Sequence, residues 1–208
     1  MNKALGISAA VVSVLYLFLS NTLPYPGGAI LKTSMCVLLA LLALRYKSVL
    51  LAIALVFSAV GDALLAIDGA KLFVPALASF LTTHVIYAVI FVRVGRGVMV
   101  STSRWIGMIL PILFAVGYLI VLWPRLGALA IPVLFYIAAI VTMTALSFRI
   151  PSVIVPLGAM LFLASDSLIA LQKFLWSAAW VGPVIWITYA FAQQLITHGM
   201  LDSKRDPA

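Results

Sequence analysis

Long apolar segments, separated by short polar or glycine- and proline-containing turns, dominate the chain from one end to the other. Because a helix that crosses a bilayer needs roughly 20 mostly apolar residues, each segment of this length predicts one membrane-spanning helix. The pattern predicts an all-α membrane protein with eight transmembrane helices in a single domain, residues 1–208, that ends in a polar cytoplasmic tail over residues 200–208. The predicted helices cover, within a few residues, 4–20, 29–44, 49–67, 72–92, 105–123, 128–148, 152–172 and 178–197.

Composition supports the membrane class, since 65% of the residues are hydrophobic and 9% are charged. Soluble domains carry about 25% charged residues. The first apolar segment follows Lys3, as in a signal peptide, but the turn over residues 21–28 lacks a small-residue cleavage site, so we expect a retained helix. The net charge of +8 would suggest nucleic acid in a soluble protein. Here the positive residues lie in short loops, and we expect no nucleic-acid partner.

The distribution of positive residues predicts the orientation of the chain. Eight helices place both termini on one side of the membrane. Of the 13 Lys and Arg residues, nine lie in the loops on the terminal side, three lie in the opposite loops, and Lys32 lies inside the second predicted helix. The positive-inside rule therefore predicts that both termini are cytoplasmic, in the inner membrane if the cell is bacterial.

Two carboxylates lie inside apolar segments, Asp62 in the third predicted helix and Asp166 in the seventh. The chain has no Glu and five Asp, so two of its five acids occupy positions where a charge is costly. An ionisable residue inside a membrane helix is a functional hypothesis by default. The two residues are 104 positions apart, half the chain, and each lies in the third helix of a four-helix half. This spacing predicts a parallel repeat of two four-helix halves; coincidence in an apolar chain is the alternative.

Hydroxyl residues surround both aspartates. Ser58 precedes Asp62 by four residues, and Ser165 and Ser167 flank Asp166. Hydroxyls of this kind can satisfy a buried carboxylate, or the aspartates can serve as hydrogen-bonding groups between helices. Two carboxylates in different surroundings suit acid/base chemistry, with one protonated and the other ionised. The flanking serines favour Asp166 as the ionised member and Asp62 as the acid.

Other polar side chains inside the predicted helices form a wider candidate set. Lys32 lies about one turn into the second helix, where it can pair with an aspartate, hold a phosphate or extend to the interface. His84 and Tyr87 lie one turn apart in the fourth helix, and Tyr189 and Gln193 share a face of the eighth. We expect these four residues either to contact a substrate or to form hydrogen bonds between helices.

The residue types that are scarce argue against several enzyme classes. Two His, no Glu and the single Cys36 cannot supply a His/Cys metal site, and the chain has no HExxH, GxSxG or P-loop motif. We therefore expect no metal and no cofactor, and neither a serine lipase nor a nucleotide-driven pump. Metal-free acid/base chemistry on a lipid-like molecule and ion-coupled transport remain. Cys36 itself lies in an apolar run and is interpreted as a small lipid- or core-facing residue.

Several motifs occur in a characteristic order along the chain, and together they resemble the YhhN-like lysoplasmalogenase family of eight-helix membrane proteins. The resemblance spans residues 29–199. Thr33 follows Lys32 where the family pattern has Pro, so the local kink of the second helix can differ. The motifs are Lys32, then Phe57-Ser58-x-x-Gly61-Asp62, Phe80-x-x-x-His84-x-x-Tyr87, Leu161-Phe162-x-x-Ser165-Asp166-Ser167 and Tyr189-x-x-x-Gln193-x-Leu195-Ile196.

The resemblance implies a lysophospholipid substrate, a lysoplasmalogen or a related lysolipid, whose vinyl-ether bond is hydrolysed to a fatty aldehyde and a glycerophospho-headgroup. This reaction needs a general acid that protonates carbon, and an anion that stabilises the oxocarbenium ion and activates water. Asp62 and Asp166 would fill these roles, in either order. A proton-coupled transporter or a lipid-binding membrane protein is the alternative function. The residues expected to bind the substrate are Lys32, His84, Tyr87, Ser165, Tyr189 and Gln193.

Overall fold

The computed structural model describes residues 2–20 and 22–203, with the side chain of Asn2 excepted. Asn21, in the turn predicted after the first helix, and residues 204–208 of the predicted tail lie outside this range. The described residues contain no β-strand and form eight α-helices and one short 3-10 helix, Gly127–Leu129. The helices are α1 (Asn2–Leu19), α2 (Gly27–Arg45), α3 (Val49–Asp68), α4 (Phe73–Val94), α5 (Thr102–Leu126), α6 (Ala130–Ser147), α7 (Ile154–Phe174) and α8 (Val181–Asp202).

Five segments of the described chain are long and apolar enough to cross a membrane. Four of them are the helices α2, α3, α4 and α7, and the fifth is the 46-residue stretch Thr102–Ser147, which holds both α5 and α6. α1 contributes a shorter apolar helix, Lys3–Leu19. α8 is not among the five, since Gln193, Gln194 and His198 lower its hydropathy. The chain is an integral membrane protein with an all-helical fold.

The chain divides into two compact units, Met1–Tyr87 and Ala88–Ala208, and the boundary lies within α4. In the first unit, α2 packs against both α1 and α3. The centre of this packing is apolar: Met35 and Leu39 of α2 and Leu55 of α3 are fully buried. Burial of this kind, together with close van der Waals contact, holds α3 and its aspartate against α2.

In the second unit, α7 packs most extensively against α8, and α6 packs against α5 and α7. Two glycines permit the close approach of α7 and α8. A Cβ at Gly158 would lie 3.0 Å from the carbonyl oxygen of Ala192, and a Cβ at Gly199 would lie 2.6 Å from Cγ2 of Val155. Small residues at such contacts let membrane helices come together at backbone distance.

Two helices extend at their C-terminal ends by three or more residues beyond the prediction. The turn expected at Pro124 is wrong, because α5 continues through it to Leu126 and the chain turns at Gly127, whose φ of +52° suits glycine. A proline close to a helix end removes a single backbone hydrogen bond, so the helix can pass it. α8 continues to Asp202, beyond the predicted end at 197, because Met200 and Leu201 are buried. Residues 200–202 therefore belong to the helix and not to the tail.

Candidate active site

Asp62 is buried in α3, and two side chains of α2 contact its carboxylate. The ammonium nitrogen of Lys32 lies 3.4 Å from Oδ1 of Asp62, and the side chains are 18% and 2% exposed. The thiol of Cys36 donates to Oδ2 at 3.8 Å. Lys32 and Cys36 are four residues apart, so both project from one face of α2. A buried carboxylate is costly unless it is paired and hydrogen-bonded, and this arrangement neutralises the charge of Asp62.

The contacts of Asp62 bear on two predictions made from the sequence, those for Lys32 and Cys36. Lys32 pairs with an aspartate, one of the three roles that its position allowed. Cys36 is fully buried, as a core-facing residue would be, but its contact with the carboxylate was missed. Its spacing of four residues from Lys32 was the available signal, since residues at this spacing share a helix face.

Ser58 belongs to a group of hydroxyls that links α3 to α4. Its hydroxyl donates to Oγ1 of Thr83 at 3.2 Å, and Thr83 donates to the carbonyl oxygen of Ala54 at 3.0 Å. Ser79 likewise donates to the carbonyl oxygen of Phe57 at 2.7 Å. These hydroxyls therefore join α4 to α3, and they hold in place the helix that carries Asp62.

On α4, an aromatic ring packs next to Asp62. The ring of Phe80 lies directly over Gly61, where a Cβ would be 2.6 Å from Cε2 of the ring. His84 follows Phe80 by one turn and Tyr87 follows by two, and both are fully buried. The absence of a side chain at Gly61 thus lets Phe80 pack against the backbone next to the aspartate.

Substitution of Gly61 by Ala is expected to destabilise the protein. A methyl group at this position overlaps the Phe80 ring, and overpacking of this kind costs about 1–3 kcal/mol. The measurement is the thermal unfolding midpoint in detergent. Gly117→Ala is the matched control, because it is also helical and a Cβ there meets nothing within 4 Å. Equal midpoints for the two variants would show that the Phe80 ring moves aside freely.

Asp166, in α7, is half-buried and accepts a hydrogen bond from α6. The hydroxyl of Tyr136 donates to Oδ2 of Asp166 at 2.5 Å, and Tyr136 itself is buried. Tyr136 was not among the residues singled out from the sequence. A donor on the preceding helix thus contacts the carboxylate in each unit, Lys32 in the first and Tyr136 in the second.

The serines that flank Asp166 do not donate to it, contrary to expectation. Ser165 is buried and its hydroxyl donates to the carbonyl oxygen of Ile185 at 3.1 Å, which joins α7 to α8. Ser167 donates to the carbonyl oxygen of Leu163 at 2.7 Å, one turn back in the same helix. A helical serine commonly satisfies its hydroxyl in this local way. The serines therefore give no reason to assign Asp166 as the ionised member of the pair.

Tyr189 and Gln193 share a buried face of α8, in agreement with their spacing. Nε2 of Gln193 donates to the hydroxyl of Tyr189 at 3.3 Å. The Tyr189 ring meets the edge of Phe162 on α7, with centroids 5.4 Å apart and an interplanar angle of 80°. The ring centroids of Trp186 and Tyr189 are 5.9 Å apart. This aromatic packing orients a polar pair inside the second unit.

Comparisons with known proteins match most of the chain to one family. The YhhN family model matches residues 28–200. A Mycobacterium bovis protein named lysoplasmalogenase is 36% identical over 185 residues, which cover 85% of this chain and 71% of that protein, and the Mycobacterium tuberculosis protein of the same name gives the same values. Lysoplasmalogenase TMEM86A of Bos taurus is 31% identical over 163 residues, 73% of this chain and 65% of its own length. No solved structure gives a significant match.

Proposed function

The chain belongs to the YhhN family, and from that premise we propose that it is a membrane hydrolase of the lysoplasmalogenase type. Its substrate is a lysoplasmalogen or a related lysolipid, and its products are a fatty aldehyde and a glycerophospho-headgroup. The observation that carries the proposal is the 36% identity, over 85% of this chain, to proteins named lysoplasmalogenase. The two carboxyl groups inside the helices, Asp62 and Asp166, are the chemical groups that such a reaction needs.

Asp62 and Asp166 carry the reaction in this proposal. Hydrolysis of a vinyl ether begins with protonation of its β-carbon, which leaves an oxocarbenium ion that water then captures. A carboxylic acid can supply the proton, and a carboxylate can stabilise the cation and activate the water, as the two carboxyl groups of glycosidases do. This route needs no metal ion. The ion pair with Lys32 and the hydrogen bond from Tyr136 support two carboxyl groups in different electrostatic surroundings.

The substrate-binding residues are also part of the proposal. His84 and Tyr87 on α4, and Tyr189 and Gln193 on α8, are buried aromatic or polar groups that can hold a lysolipid. Lys32 acts mainly through Asp62, with which it is paired, rather than as a phosphate ligand. Ser165 contributes by joining α7 to α8 beside Asp166.

We further propose that all eight helices span the membrane as two four-helix repeats with both termini in the cytoplasm. The positions of the helices support the repeat. α2 begins at Gly27 and α6 at Ala130, and α3 begins at Val49 and α7 at Ile154, so corresponding helices start at nearly the spacing of the two aspartates. The excess of Lys and Arg in the loops on the terminal side supports the orientation.

The proposed activity is tested with purified protein in detergent. We expect fatty aldehyde to be released from a 1-alkenyl lysophospholipid, and none from the matched 1-alkyl ether, which has no double bond to protonate. Because detergent removes any transmembrane gradient, turnover distinguishes an enzyme from a proton-coupled carrier. Binding of the alkenyl lipid without aldehyde release would instead support the carrier or the lipid-binding protein.

A further inference from the structure

Lys32 and Tyr136 occupy equivalent positions in the two halves of the chain. Lys32 precedes Asp62 by 30 residues and Tyr136 precedes Asp166 by 30 residues, so both pairs are related by the same offset of 104. The side-chain contacts follow this offset. The Lys32 ammonium meets a carboxylate oxygen of Asp62 at 3.4 Å, and the Tyr136 hydroxyl meets one of Asp166 at 2.5 Å. Each aspartate is thus contacted from the same position of the preceding helix.

The two equivalent partners differ in charge. Lys32 brings a full positive charge to within 3.4 Å of an Asp62 side chain that is 2% exposed, and an ammonium group at this distance compensates a buried carboxylate. Tyr136 brings a neutral hydroxyl, which can donate to Asp166 whether or not the other carboxyl oxygen carries a proton. Cys36 strengthens the difference, since it donates to Asp62 while the equivalent position holds Ile140.

We propose that Tyr136 is a positioning residue and the counterpart of Lys32, and that these two residues divide the work between the aspartates. Asp62 is the carboxylate, which stabilises the cation and activates water. Asp166 is the acid, which protonates the substrate while Tyr136 holds its other oxygen. This inference rests on the proposed hydrolase function, and it reverses the order that the serines around Asp166 favoured.

The proton balance of this assignment closes over one turnover. Asp166 gives its proton to the β-carbon, and the electrons of the double bond form the new C–H bond, which leaves an oxocarbenium ion. Water adds to the cationic carbon and loses a proton to Asp62, giving a hemiacetal. Asp62 then returns that proton to the departing glycerol oxygen, while Asp166 takes the proton of the hemiacetal hydroxyl. Aldehyde and headgroup leave, and both aspartates regain their starting forms.

The Tyr136→Phe variant tests the role of the hydroxyl, because it keeps the buried ring. We expect turnover to fall by about 10- to 100-fold with little change in KM, the range that a hydrogen bond to a charged group supplies, because Asp166 becomes a carboxylate as it gives up its proton. The matched control is Tyr118→Phe, which removes a hydroxyl that donates to the backbone carbonyl of Ser167 in the same unit. We expect the control to keep its turnover within about three-fold of wild type, as a hydrogen bond of the helix framework would allow.

Deuterium exchange in D2O tests the order of the two aspartates. The Lys32→Met and Asp62→Asn variants should slow the capture of the cation by water, so that protonation of the β-carbon has time to reverse. The unreacted substrate recovered from these variants should therefore carry deuterium at its β-carbon. The Tyr136→Phe and Asp166→Asn variants should slow the protonation step itself, so little cation forms that could return to substrate. The substrate recovered from these variants should carry no deuterium. The opposite pattern, or deuterium in both sets or in neither, would overturn the assignment. Full turnover in both Asp→Asn variants would instead overturn the hydrolase mechanism itself.

Discussion

Replacing Lys32 with Met is expected to lower the free energy of unfolding by about 3–5 kcal/mol, the cost of leaving one member of a buried ion pair without its partner. The Asp62 side chain is 2% exposed and has Lys32 at 3.4 Å, so water cannot take over the role of the ammonium group. The measurement is denaturant or thermal unfolding of the purified protein in detergent. Turnover should fall in parallel, since the Asp62 carboxylate would lose the positive charge that is paired with it.

Two further variants separate the charge effect from lost packing. Lys32→Met combined with Asp62→Asn removes both charges, and we expect this double variant to be more stable than Lys32→Met alone. Lys71→Met is the matched control, since Lys71 also lies 3.4 Å from an aspartate, Asp68, but is 86% exposed. The free energy of unfolding of Lys71→Met should fall by at most about 1 kcal/mol, as expected for a surface ion pair. Equal losses in Lys32→Met and Lys71→Met would contradict a buried, stabilising ion pair.

Asp62→Asn and Asp166→Asn are each expected to reduce aldehyde release by about 10²- to 10⁴-fold, the contribution of a general acid or base. The amide is nearly isosteric with the carboxyl group, so the helices should keep their packing while the proton transfers are lost. The measurement is the turnover number with a 1-alkenyl lysophospholipid, scaled to folded protein. Asp202→Asn, an exposed change in the last turn of α8, should leave turnover unchanged.

The loss of turnover should appear in each aspartate variant separately, because the proposed mechanism needs both carboxyl groups. A variant that keeps normal turnover would remove its aspartate from the reaction. If Asp62→Asn alone were inactive, the Lys32–Asp62 pair would be the reacting centre and Asp166 a helix-packing residue. If both retained activity, the two carboxyl groups would have structural roles only.

Hydropathy and spacing were enough to predict the helical class, because runs of apolar residues of membrane length have few alternatives to a helix. The pairing of Lys32 with an aspartate was also accessible, since a cation inside an apolar helix needs a partner. The turn expected at Pro124 failed because a proline near a helix end is tolerated. Hydropathy alone could not place the true turn at Gly127, which depends on a backbone conformation that glycine adopts freely.

The direction of individual hydroxyl groups was the main property that the sequence could not show. Ser165 and Ser167 flank Asp166 in sequence, yet their hydroxyls donate to the backbone carbonyl oxygens of Ile185 and Leu163. Tyr136 illustrates the converse. It lies 30 residues from its aspartate, and the only advance signal was the repeat offset applied to Lys32.

The most direct test of acid/base cleavage of a vinyl ether is the mass of the fatty aldehyde that the wild-type protein releases in D2O. If a carboxylic acid protonates the β-carbon, that carbon takes its new hydrogen from a group whose proton exchanges with solvent. We therefore expect each aldehyde molecule to carry one deuterium at carbon 2. Aldehyde released without deuterium, or no aldehyde from folded protein, would contradict the proposed reaction.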